Sequence, residues 1–200
     1  MSATRTHLIR SEKQLAALIA ATRQEVVDVL EQVGTVSVGE LAAALGRPAD
    51  ALYFHIRALM RVGLVRRAGY RLRSRDKEAL YCTVAPELRL RYEPHRASNR
   101  KAVSAIISSM LRLATRDFRS AFQRDTVVVW GPCRELWGLR KTGRLSPTGL
   151  AEVNRRIKGL AKTVSASRKQ GRLYAITVVL TPLDHRNKVE SPSERKTRTK

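Results

Sequence analysis

The chain has 200 residues, enough to bury one large core or two small ones. Lysine plus arginine number 39 against 17 aspartate plus glutamate, and a formal charge of +22 repels itself unless a polyanion is near, which makes nucleic acid the leading partner. Cys82 and Cys133 have no paired spacing, which argues against a disulfide framework or a four-cysteine zinc site. No apolar run approaches the roughly 18 residues of a membrane span, and residues 1–10 lack a secretory apolar stretch, so a cytoplasmic protein is expected.

The order of elements predicts a two-part α+β protein. Ser11-Glu12-Lys13-Gln14 and Thr22-Arg23-Gln24-Glu25 both have capping-box spacing, so two helices, or one that bends near Ala21, precede Gly34. Val26, Leu30 and Val33 share a helical face and are expected to point inward. Ser37-Val38-Gly39-Glu40 repeats the cap, with Leu41, Ala44 and Leu45 forming an apolar stripe before Gly46. Pro48 opens the next helix, whose inward face is Leu52, Ile56, Leu59 and Val62, and Gly63 ends it. Only Gly46 and Arg47 separate the two helices, so they must cross sharply.

Residues 64–72 and 78–84 read as the strands of a hairpin, with residues 73–77 as its turn. Seven basic residues, Arg61, Arg66, Arg67, Arg71, Arg73, Arg75 and Lys77, lie in residues 61–77 against Asp76 alone. Residues 86–98 read as a connector. A long amphipathic helix follows over 100–123, with Val103, Ile106, Ile107, Met110, Leu113, Ala114, Phe118 and Phe122 on its apolar side.

Residues 126–130 and 173–181 are strand candidates. Between them Ser146 caps a helix carrying a narrow stripe, Leu150, Val153, Ile157, Leu160 and Val164, suited to packing on another helix. The tail, residues 184–200, is polar, aperiodic and expected to be disordered. The chain divides into a winged helix-turn-helix at 11–88, a linker at 89–99, a C-terminal α/β dimerisation or effector region with two long helices at 100–183, and the tail.

Placing Leu52, Ile56 and Leu59 inward turns Asp50, Tyr53, Phe54 and Arg57 outward, with Arg47 at the helix entry. A major groove admits such a helix and offers base edges and thymine methyls to these side chains. Arg66, Arg67, Arg71, Arg73, Arg75 and Lys77 would meet phosphate from the hairpin.

The runs Leu41-Ala42-Ala43-Ala44-Leu45-Gly46, Leu52-Tyr53-Phe54-His55-Ile56-Arg57-Ala58-Leu59 and Val62-Gly63-Leu64-Val65 resemble the winged-helix domains of ArsR-type bacterial transcriptional regulators, over roughly residues 14–88. The resemblance implies a homodimer on a palindromic operator, with 48–62 as recognition helix, 65–84 as wing, and repression by blocking promoter access. The metal-sensing members carry paired cysteines on the helix before the turn or His and carboxylate clusters on terminal helices. Here residues 38–45 lack cysteine, and His7, His55, His95 and His185 are scattered, so no metal or other cofactor is expected.

Two alternatives remain open. Splitting the chain after Arg100 gives 17 basic and 10 acidic residues, then 22 and 7, so the larger excess lies in the second half. That favours a non-specific nucleic-acid-binding protein, nucleoid-associated or RNA-binding, as the runner-up. The second half could instead hold an unidentified small molecule near Trp130 and Trp137. No Gly-rich phosphate loop, nucleophile elbow or His–carboxylate constellation suggests an enzyme.

Overall fold

The computed structural model describes residues 6–73, 76–166 and 172–183. In chain order the elements are β1 (Thr6–Ile9), α1 (Glu12–Leu18), α2 (Ala21–Val33), β2 (Val36–Ser37), α3 (Val38–Leu45), α4 (Ala49–Arg61), β3 (Val65–Arg73), β4 (Asp76–Thr83), β5 (Glu87–Leu90), α5 (Ala97–Phe122) and α6 (Pro147–Ala166). This is a mixed α+β chain in which helices precede a β-hairpin and two long helices follow it.

Local chemistry sets the helix ends. Ser11 caps α1 by accepting from the Gln14 amide at 3.2 Å. Ser37 and Glu40 form a reciprocal capping box on α3: the Ser37 hydroxyl accepts from the Glu40 amide and the Glu40 carboxylate from the Ser37 amide. Gly46 closes α3 at φ +60°, a left-handed conformation that L side chains rarely adopt, so the chain can reverse directly into α4.

One core joins these pieces. Leu15, Val26, Leu30, Leu41, Leu52, Ile56, Leu59 and Leu64 are sealed together, and Val103 and Ile106 of α5 close the far side. The buried Gln24 fastens three helices, its amide donating to the carbonyls of Leu18 at 2.7 Å and Ile106 at 3.3 Å. Beyond Leu113, α5 leaves this core, and Phe118 and Phe122 stand exposed with their rings 6.0 Å apart.

The sheet beside the core has order β2-β4-β3, with both pairings antiparallel. Ala68 is the extra residue of a bulge between Arg67 and Gly69. The bulge bends β3 where Gly69 sits at φ +139°, a value glycine tolerates because it lacks Cβ. A second, two-stranded sheet pairs β1 with β5 in parallel, Thr6 opposite Glu87 through Ile9 opposite Leu90.

Several expectations are corrected. Thr22 does not cap α2; the helix begins at Ala21 with Ala20 as its N-cap residue, so Thr22 lies inside the first turn. Val33 and Ala44 are exposed, and Val27, Val29 and Ala42 occupy the buried positions instead, because the helices present a wider face than the strict stripe. The span read as a linker holds β5 and starts α5 at Ala97; Asn99 is buried, accepting from the Glu93 amide and donating to the Arg91 carbonyl. Residues 126–130 and 173–181 are not in strands, since neither finds a hydrogen-bonded neighbour among the described residues to make a ladder. The tail at 184–200 lies outside the described residues.

Candidate nucleic-acid interface

The interface is built on α4 and the β3–β4 hairpin. Leu52, Ile56 and Leu59 are each 1% exposed or less, and this anchoring fixes the rotation of α4. At 3.6 residues per turn the opposite side carries Asp50, Tyr53, Phe54 and Arg57. All four are exposed, Tyr53 to 42% and Phe54 to 68%. Exposed aromatics have no part in the core, and they lie on the face of α4 turned away from it. His55, one residue further round, sits at the margin: its ring meets Phe54 edge-on at 5.4 Å, and its Nδ1 is buried without a hydrogen-bond partner. Burial, then the positive charges of Arg23 and Arg47, hold its pKa below the ordinary histidine value.

The hairpin presents Arg66, Arg67 and Lys77 to solvent. Arg67 is partly organised by its neighbour, donating to the Tyr70 hydroxyl at 2.7 Å with its guanidinium 5.4 Å from the Tyr70 ring centre. The Arg73 side chain and the whole of Arg75 lie outside the described residues.

Two of the arginines are engaged by carboxylates. Arg71 bridges two carboxylates, Glu40 at 2.8 Å and Glu78 at 2.9 Å. These exposed ion pairs tie the hairpin to the capped end of α3. Glu40, bonded first by the Ser37 amide and then by Arg71, is held below the usual carboxylate range. Arg47 donates to Glu25 at 2.7 Å. Glu25 lies 22 positions from Arg47 and Glu40 lies 31 from Arg71, too far for spacing to find, whereas Glu78 stands directly opposite Arg71 in the hairpin register.

Glu25 is a connecting residue beside the interface that sequence reasoning missed. Buried on α2, it accepts Arg47 at one carboxylate oxygen and Arg116 of α5 at the other, at 2.7 and 2.6 Å. A buried, unsatisfied carboxylate would be costly; here both oxygens are paired. The entry to α4 and the helix leading to the C-terminal region therefore share one anion.

Residues 18–68 match the family model of a helix-turn-helix domain. The match runs from the end of α1 into β3, about a quarter of the chain, and takes in all of α4. It supports a winged helix-turn-helix regulator without selecting the ArsR type among such families. No curated protein matches the chain. Among the described residues no helix is long and apolar enough to cross a membrane, and no group of three or more His, Cys, Asp or Glu side chains is gathered as a metal site would need.

Proposed function

We propose that the protein is a sequence-specific, cytoplasmic DNA-binding transcriptional regulator that acts as a homodimer and represses by occupying promoter DNA. One observation carries the reading. The apolar anchors of α4 are sealed while Asp50, Tyr53, Phe54 and Arg57 stand clear of the core on a helix-turn-helix whose adjoining hairpin is cationic. In this reading α4 enters a major groove, where Arg57 addresses base edges and the aromatic pair meets thymine methyls. Arg66, Arg67, Lys77 and, beyond the described residues, Arg73 and Arg75 hold the phosphate backbone.

The test is selection of bound fragments from random duplex DNA at a stated salt concentration, followed by competition with random duplex and RNA. A regulator should prefer its selected site by roughly a thousandfold or more. Enrichment of no motif, with equal competition by RNA, would favour the non-specific reading, for which the excess of 22 basic over 7 acidic residues after Arg100 argues.

A further inference from the structure

The loop between α5 and α6 holds the two tryptophans of the chain, Trp130 and Trp137, and its own hydrogen bonds shape it into a tight turn. The Glu135 amide donates to the Val128 carbonyl at 2.7 Å, the Val128 amide donates to the Glu135 carboxylate at 2.9 Å, and Gly131 reverses the chain at φ +79°. The Arg134 amide donates to the Gly131 carbonyl, and its side-chain Nε donates to the Leu136 carbonyl at 2.6 Å. The guanidinium is thereby held over both indoles, 4.2 Å from the centre of Trp137 and 5.9 Å from that of Trp130.

Trp130 is 80% exposed and Trp137 67%, so the rings stand out from the surface and do not enclose a small molecule as cavity walls would. Packing gives no reason for them, since rings so exposed yield little surface to the fold. The carboxylates around them are largely engaged. Glu135 accepts Arg172 at 2.8 Å and the Tyr174 hydroxyl at 2.6 Å, and Glu152 at the start of α6 holds Arg155 and Arg156. Asp125 is the remaining acid in residues 124–152. Residues 136–151 carry Arg140, Lys141 and Arg144 and no Asp or Glu, and Arg140 and Lys141 are exposed with no ion pair among the described residues.

We propose that Trp130, Arg134 and Trp137 form a stacking platform for the unpaired bases of single-stranded nucleic acid, with Arg140 and Lys141 meeting its phosphates. Charge and shape together select this ligand. Exposed indoles take a flat π face, and cations with no carboxylate beside them take an anion. A duplex carries the anions but buries its base faces in the stack. A strand of unpaired bases presents a phosphate and an open face at every nucleotide. The platform uses none of the residues of α4 or the hairpin, and it gives a place to part of the excess of 22 basic over 7 acidic residues after Arg100 that the winged helix leaves unused.

Because Trp130 and Trp137 are the only tryptophans, their fluorescence reports the platform alone. The full-length protein is titrated with a dT strand of about 12 nucleotides, a U strand, an abasic deoxyribose-phosphate strand and a blunt duplex, all of one length. At least one base-bearing strand should quench the indole emission to saturation, and the abasic strand and the duplex should need about tenfold more or should not quench at all. Tighter binding of the U strand would name RNA as the source of the ligand, through its 2′-hydroxyls, and tighter binding of the dT strand would name DNA. By anisotropy of a labelled strand, Trp130→Ala and Trp137→Ala should each weaken binding about tenfold, and Trp137→Phe should recover part of the loss. Neutralising Arg140 and Lys141 should instead flatten the salt dependence. Helicity should be unchanged in every variant, since all four side chains are exposed.

Equal quenching by the abasic strand or the duplex would reduce the site to charge and overturn the proposal. So would an emission that no strand changes, or tryptophan variants that bind the strands as the parent does. A protein that selects a duplex site but stacks no strand would lose the platform alone, and one that stacks strands but selects no duplex would lose the reading of α4 alone.

Discussion

Glu25 and Arg116 meet at 2.6 Å although 91 residues of chain separate them. Because the same carboxylate also holds Arg47 at 2.7 Å, α2 carries the electrostatic junction between the turn that launches α4 and the helix that leaves the core. Glu25 has a side-chain exposure of 10% and Arg116 of 49%, so removing the carboxylate strands one half-buried cation while water can recover the other. Glu25→Gln should destabilise the fold by roughly 2 to 4 kcal/mol, somewhat under the range for fully buried pairs. Urea unfolding should report it, and a double-mutant cycle with Arg116→Ala should show non-additivity. Additive losses would mean that the two residues touch without coupling.

The split between reading and positioning gives a second prediction. Arg57→Ala should cost about 1 to 3 kcal/mol on the selected site and relax preference at one base pair, because a bidentate arginine distinguishes guanine by its paired acceptors. Neutralising Arg66 and Lys77 should weaken all duplexes alike and flatten the dependence of log K on log salt by about one unit for each phosphate no longer neutralised. Binding to selected and random duplexes across a salt series checks both. If the two sets of changes act identically on both DNAs, the division of labour between α4 and the hairpin is wrong.

Much of the winged helix was legible because its determinants are local. Ser11, Ser37 and Gly46 mark helix ends by chemistry within a few residues, and Leu52, Ile56 and Leu59 declare their face by period. What escaped reading was non-local. Thr6–Ile9 is too short to announce itself, and it becomes a strand only by pairing with Glu87–Leu90. Glu25 lies 22 positions from Arg47 and Glu40 lies 31 from Arg71, so those two pairings could not be told from a charge run, although Glu78, seven positions from Arg71, is its cross-strand neighbour. Residues 173–181 have strand chemistry without a strand, because propensity supplies no partner.

Ser37 offers a clean measure of the local determinants. Its side chain is sealed, and its hydroxyl satisfies an amide that would otherwise be orphaned at the start of α3. Ser37→Ala should lower stability by about 1 kcal/mol, and Ser37→Thr should restore part of it, read as the shift in urea midpoint at constant slope. An alanine variant as stable as the parent would show that β2 pairing alone positions α3.

Arg71 separates a structural cation from a ligand-binding one. Because Glu40 and Glu78 both engage it, Arg71→Ala should leave the salt dependence of DNA binding nearly unchanged, unlike Arg66→Ala. It should instead loosen the hairpin against α3, raising amide exchange in β3 and β4. A drop of a full unit in salt slope would show that Arg71 abandons its carboxylates for phosphate when DNA arrives.

His55 gives the pH dependence its sign. The folded protein holds this imidazole below its ordinary pKa, through burial and then the charges of Arg23 and Arg47, so the unfolded chain binds a proton more readily than the native one. Stability from this site is therefore complete above the ordinary histidine value of about 6.5 and is lost as pH falls from there through the lowered folded value. His55→Gln cannot titrate. The melting temperature of the parent should fall faster than that of the variant between roughly pH 6.5 and 5. Since His55 lies on α4 with an unpartnered Nδ1, acid that charges the ring would also press it against Arg23 and Arg47, and binding of the selected duplex should weaken over the same interval in the parent only. Parallel melting curves for the two proteins would show that the ring is relieved by solvent and bears no part in the acid response.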